Sequence, residues 1–366
     1  MSGEYFTNRH VEIARIRTAM LTPSSLLVYG LRRMGKSSAI VIAGERARAA
    51  RPKPIVVSAD LSTATSLFDV ATRLLRSLYQ ETRFLRLRFE DVLGGLAPRV
   101  TLKFDTQGNP PAITFGIDRR TATDEERRRA FEDVIERLVH LRSRTKRPVA
   151  VVLDEFQAIN AIGGEGAEWH LRDAMQRHGD LSFICAGSQQ SLIEEMIGPT
   201  RAFYKAFNML HMGPLEDAHF ASWIDERLRL ALRVEGDVGG EIVRVAGPRT
   251  QDVVQVARQL FFRGLALDRP VEPADVADAL DDVVRNEEPL IRSIWNRLAA
   301  NQQDVLRVVA LGATQLFSAE VRDRYGLPAA SSVHKAVEAL VAHGLLLRDE
   351  RGIAFDSPFV ERWARR

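Results

Sequence analysis

Apolar residues in the first half of the chain form short continuous runs, and segments with helical spacing lie between them. The runs 26–29, 55–57, 149–153 and 181–186 predict strands. The continuous apolar character of 149–153 and 181–186 suits strands that are covered on both faces. Strands that alternate with helices favour an α/β fold with a parallel sheet.

Two further features lie between the second and third of these runs. The alternating segments 100–104 and 112–115 are separated by the turn-rich segment 105–111 and predict a hairpin beside the core. Thr123 and Glu126 then form a capping-box pattern in front of an apolar helical stripe.

The pattern changes after Gly213 and Pro214, where strand runs stop and helical spacing continues to about Val284. The last segment predicts helices near 302–311, 318–325 and 330–343, and a hairpin around 349–352. Three helices and a hairpin are typical of a winged helix. The predicted domains are an α/β core at 1–212, a helical domain at 213–286 and a winged-helix domain at 287–366.

Composition narrows the class of protein. The chain has 366 residues, of which 45% are hydrophobic and 27% charged, as in ordinary globular proteins. A net charge of +3 allows contact with nucleic acid through a local basic patch but does not require it. The single cysteine, Cys185, and the eight histidines are not spaced as metal ligands. Neither a membrane-length apolar run nor a signal peptide is visible, so we expect a cytoplasmic location and no membrane partner.

A phosphate-binding pattern lies between the first predicted strand and the helix that follows it. The segment from Gly30 to Ser37 matches G-x-x-x-x-G-K-[ST], whose backbone N–H groups surround phosphate oxygens. Lys36 is expected to reach the β- and γ-phosphates, and the Ser37 hydroxyl to bind Mg²⁺. The residues predicted to contact ATP here are Gly30, Leu31, Arg32, Arg33, Met34, Gly35, Lys36, Ser37 and Ser38.

An acidic pair, Asp154 and Glu155, follows the buried run 149–153. Asp154 is the expected partner of Ser37 at Mg²⁺, and Glu155 is the expected residue that orients and activates water. Together with the phosphate-binding loop, this pair predicts hydrolysis of ATP.

These residues are similar to a known family. Segment 6–13 resembles the F-x-x-R-x-x-E-hydrophobic segment of archaeal-type ATPases, which are allied to the STAND and AAA+ ATPases. The phosphate-binding loop and Leu153-Asp154-Glu155-Phe156-Gln157 look like motifs of the same family. Further similarities, at 186–188, 247–249 and 355–359, extend the resemblance over nearly the whole chain.

The resemblance implies a P-loop core, a lid and a winged helix, and it suggests roles for further residues. Ser188 would be the polar sensor at the γ-phosphate or the attacking water, although a turn serine is an alternative. Phe6 and Arg9 would lie near the adenine. Gly247 and Pro248 would close over the base, and Arg249 would contact phosphate or else be a solvated arginine.

One segment departs from the family pattern. Relatives often carry Pro-Leu-Tyr-Gly-Arg after the sensor strand, whereas this chain has Arg201-Ala202-Phe203-Tyr204-Lys205. Lys205 or Arg201 would take the arginine's place, and lysine cannot make a forked contact with phosphate. No arginine finger is therefore assigned.

The predicted winged helix offers candidate DNA contacts. They are Ser331, Ser332, His334, Lys335, Arg348 and Arg351. The acidic residues Glu338, Asp349 and Glu350 lower the net positive charge of this region. Because winged helices also bind proteins, a protein partner is an alternative to DNA.

Two main hypotheses follow. The first is a slow or partner-stimulated ATPase that acts as a molecular switch, with ATP or ADP, a protein partner or a second copy as its ligands. The second is an ATP-dependent protein that binds duplex DNA and resembles origin-recognition initiators. A P-loop kinase is disfavoured by Glu155 and by the winged helix.

Overall fold

The structure is a computed structural model that describes residues 7–85, 100–103, 112–115, 123–188, 190–349 and 352–366. The chain divides into two compact units, Met1–Gly213 and Pro214–Arg366.

A parallel sheet forms the centre of the first unit. Its strands are β1 (Ser25–Tyr29), β2 (Ile55–Asp60), β5 (Val149–Asp154), β6 (Ser182–Gly187) and β7 (Asn208–His211). Among the described residues, these five strands lie in the order β2-β5-β6-β1-β7, and all their pairings are parallel. The predicted α/β class is confirmed.

Helices cover both faces of this sheet. They are α1 (His10–Leu21), α2 (Lys36–Ala47), α3 (Leu67–Leu85), α4 (Asp124–Thr145), α5 (Ile159–Arg177) and α6 (Gln190–Met196). Val151 belongs to the buried cluster that contains α3, α4 and α5, whereas Val152 belongs to the cluster that contains α1 and α2. Because neighbouring residues of β5 are buried on opposite faces, its run 149–153 is apolar throughout.

Strand β7 was missed by the sequence reasoning. It lies at an edge of the sheet, where Leu210 is buried while Asn208 and His211 are exposed. A strand with a single fully buried residue has no apolar run to reveal it.

Two local predictions are confirmed between β2 and β5. β3 (Val100–Lys103) and β4 (Ala112–Phe115) form an antiparallel hairpin. The Thr123 hydroxyl accepts the Glu126 N–H at 3.2 Å, and the Thr123 N–H donates to the Glu126 carboxylate at 2.8 Å. This capping box satisfies two N–H groups at the start of α4.

The second unit contains two buried clusters. One lies among α7 (Asp217–Arg229), α8 (Val238–Ala246), α9 (Thr250–Gly264) and α10 (Asp275–Trp295). The other lies among α11 (Ala300–Ala310), α12 (Ala319–Tyr325), α13 (Ala330–Ala342) and the hairpin β8 (Leu346–Asp349) and β9 (Gly352–Phe355). The predicted helical segment and winged-helix elements are therefore present.

A last helix, α14 (Pro358–Ala364), joins these two clusters. Phe359 is fully buried in the first cluster, and the rings of Trp363 and Trp295 lie 5.1 Å apart. Asp281 on α10 accepts hydrogen bonds from Arg362 at 3.0 Å and from Arg366 at 2.8 Å. The hydrogen bond from Arg362, assisted by Arg366, lowers the pKa of Asp281 to about 2.

Cys185 is fully buried in β6, and burial raises the pKa of its thiol. Within the described residues, every helix is too short or too polar to cross a membrane.

Candidate functional site

The strand order places three sequence motifs side by side. The loop 30–35 follows β1, Ser188 follows β6, and Asp154 ends β5. Because β6 lies between β1 and β5, all three segments meet at the carboxyl edge of the sheet. Ligands of open α/β sheets bind at this edge.

The loop after β1 has a backbone suited to an anion. Arg33 and Gly35 have φ values of 66° and 85°, and α2 begins at Lys36 with neither a side-chain cap nor an acidic residue in its first turn. Left-handed residues can turn successive N–H groups toward one ligand, and the helix N-terminus adds a positive dipole end. Backbone N–H groups arranged in this way at a helix N-terminus can bind a phosphate group.

Gly30 is required by the approach of another strand. A Cβ at this position would overlap the carbonyl oxygen of Met212, whose N–H donates to the Tyr29 carbonyl at 2.7 Å. The first residue of the loop after β1 must therefore be a glycine, because any side chain would collide with this carbonyl oxygen.

Lys36 is buried, with 6% of its surface exposed. Its ammonium donates to the carbonyl oxygens of Gly30 at 2.9 Å and Leu31 at 2.7 Å. These neutral acceptors place the cation inside the curve of the loop. A phosphate oxygen is a stronger partner for an ammonium than a carbonyl is.

Ser37 and Asp154 are in direct contact, although 117 residues separate them. The Ser37 hydroxyl donates to Asp154 Oδ2 at 2.7 Å. A hydroxyl and a carboxylate are oxygen ligands of the kind that Mg²⁺ takes together with substrate phosphates and waters. These two residues fit the predicted magnesium site, and no group of three or more His, Cys, Asp or Glu within the described part of the chain could hold a metal ion.

Glu155 and Ser188 are also in direct contact. The Ser188 hydroxyl donates to Glu155 Oε2 at 2.8 Å. Glu155 has a φ of 51°, and left-handed backbone costs a residue with a Cβ about 1–2 kcal/mol. The chain thus turns sharply after Asp154 and directs the two carboxylates differently.

A cleft of about 870 Å³ opens beside these side chains. Sequence reasoning assigned no role to four of its polar residues, Asp60, Ser62, Gln157 and Asn160. Asp60 pairs with Asp154 in the register of β2 and β5, a relation that only the sheet order reveals. The lining residues are Arg32, Ser37, Asp60, Ser62, Asp154, Glu155, Gln157, Ala158, Asn160 and Ala161.

Of the two N-terminal residues expected near the adenine, only Arg9 belongs to the described residues. Phe6 lies outside the described residues. Arg9 is buried, pairs with Glu12 at 2.9 Å and donates to the carbonyl oxygen of Gly213, the last residue of the first unit. Arg9 therefore holds the chain in place where the first unit ends.

Gly247, Pro248 and Arg249 lie in the second unit, at the turn between α8 and α9. Arg249 is 3% exposed, and its guanidinium donates to the Asp356 carboxylate. It is not a solvated arginine.

The two candidates for an arginine finger also differ. Arg201 pairs with Glu168 at 2.7 Å and with Glu195 at 3.1 Å, and the Glu168 side chain is 1% exposed. The ammonium of Lys205, by contrast, lies 5.2 Å from the ring centre of Tyr204. Arg201 is thus part of the packed interior of the first unit.

Charges on the winged helix partly cancel. Glu338 on α13 pairs with Arg348 at 2.6 Å and lies 3.9 Å from His334. Lys335 is exposed and makes no ion pair within the described chain. Arg351 and Glu350 lie outside the described residues.

Comparisons with known proteins agree with this architecture. Residues 290–366 match a family model described as "Probable winged helix domain". No curated protein sequence matches the chain.

Solved structures cover nearly the whole chain. The Walker-type ATPase of Pyrococcus abyssi is similar with a TM-score of 0.66 and 16% identity, over 100% of this chain and 97% of that protein. The ORC2 protein of Aeropyrum pernix, solved as ADPNP-ADP complexes, has a TM-score of 0.60 and 15% identity, over 98% and 92%. The ORC1 protein of the same organism, solved with DNA, has a TM-score of 0.54 and 14% identity, over 98% and 92%.

At these identities the similarity concerns the fold. The chain has the fold of archaeal Walker-type ATPases and ORC proteins, with a P-loop sheet at its start and a winged helix at its end.

Proposed function

We propose that the protein binds ATP with Mg²⁺ and hydrolyses it to ADP and phosphate. The observation that carries this proposal is the 2.7 Å hydrogen bond between Ser37 and Asp154. It brings the phosphate-binding loop and the acidic strand end, which are remote in sequence, to one point. A Gly-rich turn and an acidic strand end that served only the fold would not have to be in contact with each other.

Binding of the triphosphate rests on the loop 30–37 and on the start of α2. Its N–H groups surround the phosphates, and the Lys36 ammonium exchanges the Gly30 and Leu31 carbonyls for phosphate oxygens. Ser37 and Asp154 hold Mg²⁺, which supplies positive charge against the phosphates. Ser38 extends the same helical turn.

Hydrolysis needs a group that orients water and accepts its proton. We assign this role to Glu155, whose carboxylate accepts a hydrogen bond from the Ser188 hydroxyl at the neighbouring strand end. General-base assistance of this kind contributes about 10²- to 10⁴-fold in rate.

We further propose that nucleotide state controls the second unit as a switch. Only contacts that differ between the ATP and ADP states can shift such an equilibrium. Phe6 and Arg9 would lie near the adenine, with the Gly247-Pro248 turn closing over it. The Arg249–Asp356 pair and the burial of Phe359 support a lid and a winged helix that move together toward a protein partner or a second copy.

The direct test is phosphate release by the wild type and by Glu155→Gln. The variant should bind ATP with unchanged affinity and release phosphate about 10²- to 10⁴-fold more slowly, because the amide cannot accept the proton. Glu136→Gln on α4 is the matched control, since Glu136 is exposed and makes no hydrogen bond in the described structure. Wild-type protein that ignores ATP and Mg²⁺ would refute the proposal, and unchanged turnover in Glu155→Gln would remove Glu155 from it.

A second candidate function is ATP-dependent binding of duplex DNA. The winged-helix match and the similarity to an ORC1 protein solved with DNA favour it. Ser331, Ser332 and Lys335 on α13 would then contact phosphates, with Arg348 and Arg351 on the wing.

Salt dependence separates the two functions. Each phosphate that the protein neutralises contributes a slope of about −0.9 to log K against log salt. If DNA is the partner, affinity should require ATP, and Lys335→Ala should reduce the slope by about one contact. Indifference to DNA at low salt supports the switch without DNA.

A further inference from the structure

Glu155 is held by a second residue, Gln157, which belongs to the same turn of chain. Gln157 is 6% exposed and lies in a short 3₁₀ turn, Phe156–Ala158. Its side-chain amide donates to Glu155 Oε2, the oxygen that also accepts the Ser188 hydroxyl. Two donors from different elements therefore meet on one carboxylate oxygen.

The orientation of the Gln157 amide follows from its other contact. The Ser188 N–H donates to Gln157 Oε1 at 3.3 Å. A backbone N–H can only donate, so it requires the amide oxygen on its side and leaves the amide NH₂ facing Glu155. Glu155, Gln157 and Ser188 form a closed ring of hydrogen bonds.

The surroundings leave this ring little freedom. A Cβ on Gly187 would lie 2.7 Å from Gln157 Oε1, so the glycine makes room for the amide. Phe156, between Glu155 and Gln157, is 1% exposed and packs against Phe203 and Phe207 at 5.0 and 5.7 Å. The backbone on which both polar side chains sit is anchored in the core.

This arrangement assigns different tasks to the two oxygens of Glu155. Oε2 accepts both donors, whereas Oε1 accepts no hydrogen bond within the described residues. A carboxylate that is fixed through one oxygen presents the other in one direction, and small errors in such an orientation cost about 10²-fold in rate.

We propose that Gln157 is a positioning residue for hydrolysis, which holds Glu155 by Oε2 so that Oε1 accepts the proton of the attacking water. The inference rests on the proposed ATPase function. Gln157 itself touches neither nucleotide nor water in this scheme. Its effect is confined to turnover and passes through Glu155.

The experiment compares Gln157→Met with the wild type, in full-length protein, by phosphate release and by equilibrium binding of ATP. Methionine keeps the length of the side chain and removes its donor and acceptor. We expect kcat to fall about 10- to 100-fold, with the KM for ATP and the ATP affinity changed less than about twofold. Gln176→Met is the matched control, because Gln176 is exposed on α5 of the same unit.

A double-mutant comparison separates positioning from a general structural role. In a Glu155→Gln background, Gln157→Met should cause no further loss of turnover, because the carboxylate it positions is gone. An equal further loss there, or unchanged kcat in the single variant, overturns the inference. If Gln157→Met does not fold, Gln157→Asn, which keeps the amide and shortens its reach, gives the same comparison.

The outcome also distinguishes this inference from the proposed function. A wild type that hydrolyses ATP and loses turnover in Glu155→Gln, beside a fully active Gln157→Met, refutes the role of Gln157 alone. A wild type that neither binds nor hydrolyses ATP refutes both.

Discussion

Lys36 and Arg249 are both buried cations beside a turn of backbone, but they are held in different ways. The Lys36 ammonium donates to two neutral carbonyl oxygens of its own loop. The Arg249 guanidinium donates to the carboxylate of Asp356, 107 residues away. The two carbonyl acceptors of Lys36 carry no formal charge, whereas the acceptor of Arg249 is a carboxylate.

This difference predicts which of the buried cations can bind a phosphate group. Exchange of a carbonyl for a phosphate gains a stronger, charge-assisted hydrogen bond. Exchange of a carboxylate for a phosphate gains little and leaves a carboxylate behind. Arg201, which is paired with buried Glu168, belongs with Arg249 in this respect.

The largest effect is expected for Lys36→Ala. Two charge-assisted hydrogen bonds to phosphate contribute about 1.5–3 kcal/mol each, so ATP affinity should fall about 10²- to 10⁴-fold. Equilibrium binding of ATP with Mg²⁺ measures this, and Arg46→Ala, at an exposed position of the same helix, is the control. Retained affinity would show that a cation held by carbonyls is no better placed for phosphate than one held by a carboxylate.

Arg201→Met should act on folding. Removal of one partner of a buried ion pair leaves the other charge uncompensated and destabilises by about 3–5 kcal/mol. Urea unfolding measures the loss, and Lys205→Met should change stability by less than about 0.5 kcal/mol. A fall in kcat with unchanged stability would contradict this and make Arg201 a catalytic arginine.

Asp356→Asn should have a smaller effect on stability, because Asp356 is partly exposed. The buried Arg249 then lacks its carboxylate, which costs about 1–3 kcal/mol, while ATP affinity stays unchanged. Thermal unfolding and ATP binding are measured together, and the double variant Arg249→Met, Asp356→Leu should recover part of the lost stability. Tighter ATP binding in Asp356→Asn would instead identify Arg249 as a phosphate contact.

Sequence reasoning succeeded where the physical requirement is local. The loop 30–37 needs its glycines and Lys36 at fixed spacing, and Asp154 and Glu155 follow an apolar run, so both motifs could be located before the fold was known. Strands β5 and β6 were predicted for a similar reason, since each contains a continuous apolar run that is buried on both faces.

Features that depend on packing between remote segments could not be predicted. No local pattern pairs Arg249 with Asp356 or Arg201 with Glu168, because these partners meet only after helices have packed. Gln157 was quoted as part of a motif, yet its contact with Glu155 depends on a left-handed residue and on Ser188 arriving from another strand.

The smallest expected effect concerns Asp281, whose cationic partners Arg362 and Arg366 have side chains that are each 41% exposed. Surface pairs of this kind contribute at most about 1 kcal/mol, so Asp281→Asn should lower the stability of the second unit only slightly at pH 7.

The folded-state pKa of Asp281, about 2, lies below the usual value of about 3.9 for the unfolded chain. The stabilisation is therefore complete above about pH 4 and is lost as pH falls toward 2. Urea midpoints of wild type and variant should differ at pH 7 and converge below about pH 2, while Asp268→Asn, at an exposed aspartate without hydrogen bonds in the described structure, should show no difference at either pH. A difference that persists below about pH 2 would mean that the carboxylate acts through packing of α14 and not through its charge.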